Sequence, residues 1–180
     1  MVDIIQKVLT PAASKALLSV AEFKTLIGFP TSDTSHDAQF QMFIDQNSAT
    51  IGTMTNRVNF GKERVRETWR CVAPVCCPDG SAKLYLLKYP VVDTDVETVE
   101  SPEGTVLDPS GYELEEASGK LLIWSPTSDE IVVTYSGGYN LPDEAPDDLK
   151  MACSIMVREQ RNAINRDATV GTGKIGRAHV

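Results

Sequence analysis

A change of period limits what this chain can fold into. From about Glu67 to Gly137, short runs rich in Val, Tyr, Thr and Leu are cut by Gly and Pro. On either side, apolar residues recur at three- and four-residue spacing instead. Strands are expected at Glu67–Val72, Lys83–Tyr89, Val91–Val99, Tyr112–Glu115, Lys120–Trp124 and Glu130–Tyr135. The breaks between them, such as Pro78-Asp79-Gly80 and Asp108-Pro109-Ser110-Gly111, carry turn chemistry.

Three helices frame this region. Ser19 and Glu22 fit a capping box, in which each side chain bonds the other residue's backbone, and Gly28 and Pro30 stop the helix that follows. Phe40, Phe43, Ile44, Asn47, Ile51, Met54 and Val58 form one stripe of a longer helix, with Gln39, Gln46, Ser48 and Thr53 opposite. Leu149, Ala152, Cys153, Met156, Val157, Gln160 and Ile164 form the stripe of the third. Pro146 suits its first turn, Asp147 and Asp148 sit at the positive end of its dipole, and Arg158, Arg161 and Arg166 lie toward the negative end.

The expected fold is therefore α+β, a small bundle of three main helices with an antiparallel β insertion between the second and third. The expected order is an N-terminal arm at 1–18, part helical, then a domain at 19–165 and a flexible tail at 166–180. Within the domain the helices fall at about 19–28, 37–57 and 147–165, and the β region at about 67–137.

Charge narrows the partners. A net charge of −8 makes the chain a poor candidate for gripping DNA, because that affinity comes from Lys and Arg neutralising phosphates. It leaves open a surface that DNA slides past. No stretch approaches the roughly 20 apolar residues of a membrane span, and Met1–Val20 lacks the apolar core of a signal peptide, so synthesis in the cytoplasm and use without secretion are expected.

No residue set reads as catalytic or metal-binding. Cys71, Cys76, Cys77 and Cys153 match no zinc spacing and are expected as reduced thiols. His36 starts a helix, where solvation or capping is the simpler role, and His179 lies in the tail. Gly171-Thr172-Gly173-Lys174 lacks the spacing and the flanking elements of a phosphate loop. Asp143, Glu144, Asp147 and Asp148 lack the alternation of a calcium loop, and Glu113, Glu115 and Glu116 read as a solvated strand edge. Lys62, Arg64, Arg66 and Arg70 are either a solvated strand face or a contact to an acidic neighbouring subunit.

The order of parts resembles a known family. Ser19-Val20-Ala21-Glu22-Phe23-Lys24 opens a short helix, and a longer amphipathic helix follows. Then come Leu-Lys-Tyr-Pro-Val (Leu87–Val91), Gly-Tyr-Glu-Leu (Gly111–Leu114), Ile-Val-Val-Thr-Tyr-Ser-Gly-Gly-Tyr (Ile131–Tyr139) and Pro-Asp-Asp-Leu-Lys-Met-Ala (Pro146–Ala152). This is similar to the head–tail connector, or adaptor, family of tailed phages, prophages and gene transfer agents, over about residues 19–165.

The resemblance implies a helical bundle with a β insertion, and a ring, usually dodecameric, beneath the portal protein in the virion neck. It implies no catalytic residues, no cofactor and no metal. By the same resemblance the tail, with Arg166, Lys174, Ile175, Arg177 and Val180, would dock on the portal. Genomic DNA would pass the lumen without specific binding, and stopper or tail-completion proteins would sit below. The arm at 1–18 is longer than the family's usual start. Two other readings stand beside it: another neck or tail-completion protein, or a small β-rich ligand-binding module with Trp69, Trp124 and the tyrosines lining a glycan site.

Overall fold

The computed structural model describes residues 3–70 and 80–171. It divides into two compact units: Met1–Ser14 with Gly61–Asn140, and Lys15–Phe60 with Leu141–Val180.

The first unit is built from strands. A four-stranded sheet holds β1 (Asp3–Thr10), β2 (Glu63–Arg70), β4 (Val96–Glu100) and β7 (Glu130–Gly137), in the order β1-β2-β7-β4. A three-stranded sheet holds β3 (Ala82–Tyr85), β5 (Tyr112–Glu115) and β6 (Lys120–Ile123), in the order β3-β6-β5. All neighbours are antiparallel. On β2 the side chains alternate, with Glu63, Val65, Glu67 and Trp69 buried and Arg64 and Arg70 exposed. Ile131, Val133 and Tyr135 of β7 stand opposite Trp69, Glu67 and Val65 and so share their face. The smaller sheet presents Ala82, Leu84, Leu121 and Ile123, and one hydrophobic cluster draws on both sheets. Burying each large aliphatic residue there contributes roughly 1.5–3 kcal/mol.

The second unit is helical, with α1 (Val20–Leu26), α2 (Asp37–Met54) and α3 (Asp147–Gly171). The capping box forms: Glu22 N–H donates to Ser19 Oγ at 3.2 Å, and Ser19 N–H donates to Glu22 Oε2 at 2.9 Å. Gly28 takes φ +68°, the left-handed conformation that lets a helix end. Phe40, Phe43, Ile44, Asn47 and Ile51 of α2 are buried as their spacing predicts, and Met54 and Val58 are exposed. Phe23 and Phe40 meet edge to face with centroids 5.2 Å apart, and the Arg161 guanidinium lies 5.4 Å from the Phe40 centroid. On α3, Cys153 and Val157 are buried while Ile164 is exposed.

The expected helical bundle with a single β insertion is overturned. Among the described residues seven strands make two antiparallel sheets, and β1 comes before the three helices. The strands have a hydrophobic cluster of their own, so they form a unit and not an excursion from a bundle. The arm expected to be part helical is strand from Asp3 to Thr10, because β2, some sixty residues later, offers it a ladder from Asp3↔Arg70 to Thr10↔Arg64. The third helix does not stop near Asn165; its backbone bonds continue to Gly171. Ser48, expected on the polar face of α2, is buried and accepts the Leu17 N–H at 3.0 Å.

Candidate functional site

The four basic residues singled out in the sequence fall along one side of the four-stranded sheet, and each meets carboxylates of its own chain. Lys62 pairs with Asp95 at 2.8 Å. Arg64 grips Glu97 with two bonds of 2.7 and 2.6 Å. Arg66 pairs with Glu103 at 2.6 Å and lies 3.7 Å from Glu100, and Arg70 reaches Glu130 at 3.4 Å. The β4–β7 register shifts between Val96 and Thr98, and Glu97 sits in that irregularity. Its hydrogen bonds to Arg64 hold the Glu97 carboxyl below the usual carboxylate range, and the same bonds raise Arg64. The face is thus a mixed-charge lattice, with each cation answered within the chain.

Of the expected tail residues, Arg166 is exposed on α3. Lys174, Ile175, Arg177 and Val180 lie outside the described residues, as do Cys71, Cys76, Cys77 and His179. Cys153 is a buried free thiol, and burial pushes its pKa up. His36 precedes α2 without a side-chain capping bond and packs on Phe29 and Phe40 at 6.0 and 5.9 Å between centroids. Glu113 and Glu115 are exposed on β5, an edge of the smaller sheet.

Sequence reasoning missed a polar centre inside the strand unit. Glu67 is fully buried on β2. Its Oε1 accepts the Tyr135 hydroxyl at 2.5 Å, Gln6 Nε2 at 2.9 Å and the Leu87 N–H at 3.1 Å. Its Oε2 accepts Trp69 Nε1 at 3.3 Å. Burial raises the Glu67 pKa despite these donors, and burial followed by the Glu67 charge raises that of Tyr135. Nearby, Lys88 Nζ donates to Glu63 at 2.8 Å in a second buried pair.

This centre explains two of the sequence motifs. Leu87–Val91 and Ile131–Tyr139 lie against each other. The Lys88 N–H donates to the Tyr135 hydroxyl at 3.0 Å, and the Gly138 N–H to the Pro90 carbonyl at 2.9 Å. A Cβ on Gly137 would stand 2.2 Å from the Lys88 carbonyl oxygen, so only glycine admits that approach. Tyr139 closes the brace by accepting the Lys62 N–H at 2.7 Å. The motifs therefore hold the segment after β3 on β7, through bonds to one another, to Glu63 and Glu67 of β2 and to Lys62 just before it.

In the helical unit, α1 and α3 border an open groove of about 660 Å³ floored by Leu18, Ala21, Leu26 and Met151. The Lys150–Glu22 pair at 2.7 Å crosses its rim. Burial would raise Glu22, but its bonds to Lys150 and Ser19 outweigh burial and lower it.

Trp69, expected to line a glycan site in the binding-module reading, is 6% exposed and Tyr135 is fully buried, so neither offers a ring face to a ligand. Trp124 is 46% exposed. Among the described residues no three His, Cys, Asp or Glu side chains are grouped to hold a metal, and no helix is long and apolar enough to cross a membrane. No protein-family model matches the chain, and comparison with curated proteins finds no similar sequence.

Proposed function

We propose that this chain is a structural subunit of a tailed-phage neck, a head–tail connector whose copies form a ring beneath the portal and line the passage for DNA. The observation that carries the reading is the run from Ile131 to Ala152. In that run a braced Val-Thr-Tyr-Ser-Gly-Gly-Tyr segment at the end of β7 is followed, after a short connection ending in Pro146, by α3. The reading rests on this ordered set of motifs and not on the bundle expected for the family, which the two-sheet unit replaces.

Charge and surface chemistry support it. Twelve copies, each carrying −8, would surround DNA with like charge and keep it from adhering. In this reading the segment after Gly171, with Lys174, Ile175 and Arg177, docks on the portal. The chain acts by holding its partners together, without catalysis or cofactor, and works in the virion after synthesis in the host cytoplasm.

The test is co-sedimentation with assembled portal rings. The full chain should bind them, and a chain ending at Gly171 should fold but not bind. Equal binding by the truncated chain would remove the tail from the contact. A full chain that ignores portal but enters virions would make it another neck or tail-completion ring.

A further inference from the structure

All eight residues of β1 are exposed, although the strand pairs with β2 on one side from Asp3 to Thr10, with a register shift between Val8 and Thr10. Four of them are aliphatic: Ile4 is 36%, Ile5 47%, Val8 47% and Leu9 36% exposed. Ile5 shares the face of the Arg66–Arg70 row, Ile4 and Val8 share the face of Val65 and Trp69, and Leu9 sits in the irregularity between Val8 and Thr10. A strand that serves only its own sheet needs one apolar face. This strand has apolar residues on both and buries neither.

The other sheet edges are managed within the chain. The free side of β4 is capped by its own segment, with the Leu107 N–H donating to the Val99 carbonyl at 2.8 Å and a bridge between Glu100 and Val106. β3 and β5 are four-residue strands, and β5 exposes Glu113 and Glu115. The edge of β1 is longer and aliphatic, and no described residue pairs with its free side; it is the kind of edge that pairs with another strand.

The sequence of β1 indicates which strand. A two-fold axis normal to a sheet keeps every side chain on its own face, so antiparallel pairing of β1 with a second β1 must centre on a residue. Centred on Lys7, two like charges meet. Centred on Gln6, Asp3 faces Leu9 and Lys7 faces Ile5. Centred on Ile5, the two Ile5 side chains meet, and Asp3 of each copy faces Lys7 of the other. Only that register matches charge to charge, and it does so twice. We propose that two copies of this chain join β1 to β1 about Ile5, which merges two four-stranded sheets into one of eight. The contact is isologous, so it makes pairs and cannot close a ring; it stands apart from the connector reading and describes the free chain.

Light scattering and sedimentation equilibrium on the full chain, up to about 100 μM, test this. Within the chain Asp3 stands opposite Arg70 and Lys7 opposite Arg66. Intrachain charge therefore predicts that Asp3→Lys loosens β1 and Lys7→Asp tightens it. Pairing about Ile5 predicts that each substitution alone weakens the dimer about tenfold. The double exchange, D3K with K7D, should then restore it. Circular dichroism and thermal melting verify that each variant is folded. A wild-type chain that stays monomeric, a dimer indifferent to the single changes, or a folded double variant that fails to recover overturns the proposal.

Discussion

The Tyr135 hydroxyl donates to Glu67 Oε1 across 2.5 Å in the interior of the strand unit, and it accepts the Lys88 N–H at 3.0 Å. One phenol thus links β7, β2 and the segment after β3. Tyr135→Phe keeps the ring and removes the link, leaving a buried N–H and a buried carboxylate each short of a partner. The expected loss is about 1–3 kcal/mol in urea unfolding. A loss below a few tenths would mean that the hydroxyl carries no weight there.

Glu67 gives the protein a pH dependence of a particular sign. Burial raises its folded pKa above the ordinary carboxylate value, so the folded chain holds this proton to higher pH than the unfolded chain does. Stability from this group is greatest below the ordinary carboxylate range and declines as pH rises through that range to the raised folded value. Glu67→Gln does not titrate. The melting temperature of wild type minus that of E67Q should therefore grow as pH is lowered through this window, and a difference that is flat with pH or shrinks would contradict the assignment.

Lys24 is 2% exposed on α1. Its Nζ donates to the Asp33 carbonyl at 2.7 Å and forms an ion pair with Asp37. The lysine thereby ties the loop after α1 to the start of α2. Lys24→Met keeps most of the stem volume and leaves those oxygens without their cation, at an expected cost of about 1.5–3 kcal/mol by chemical denaturation. Lys24→Arg should recover part of it.

Gly137→Ala places a methyl group 2.2 Å from the Lys88 carbonyl oxygen, a backbone atom that no side-chain rotation can move. Either the strand or the Leu87–Val91 segment must shift. A loss of at least about 1–3 kcal/mol is expected, whereas Gly111→Ala, with nothing within 4 Å, should change little.

The sequence shows clearly those features whose partners are close along the chain. Ser19 and Glu22 are three residues apart, and their reciprocal bonds form as read. The α2 stripe holds from Phe40 to Ile51 because one helix turn determines it. What escaped depends on distant partners. β1 is a strand because of β2, and Glu67 is tolerated in the core because Gln6, Leu87 and Tyr135 converge on it. Each of Lys62, Arg64, Arg66 and Arg70 was visible as a cation, but its carboxylates at 95, 97, 100, 103 and 130 become neighbours only through strand order. The motifs Leu87–Val91 and Ile131–Tyr139 were legible as a pattern, and their mutual contact was not.

The connector reading is tested most directly by quantitative mass spectrometry of tailed-phage virions purified from cells that carry the gene for this chain, counting it against the portal protein. The account predicts a fixed ratio near one to one. Absence of the chain from particles would contradict it.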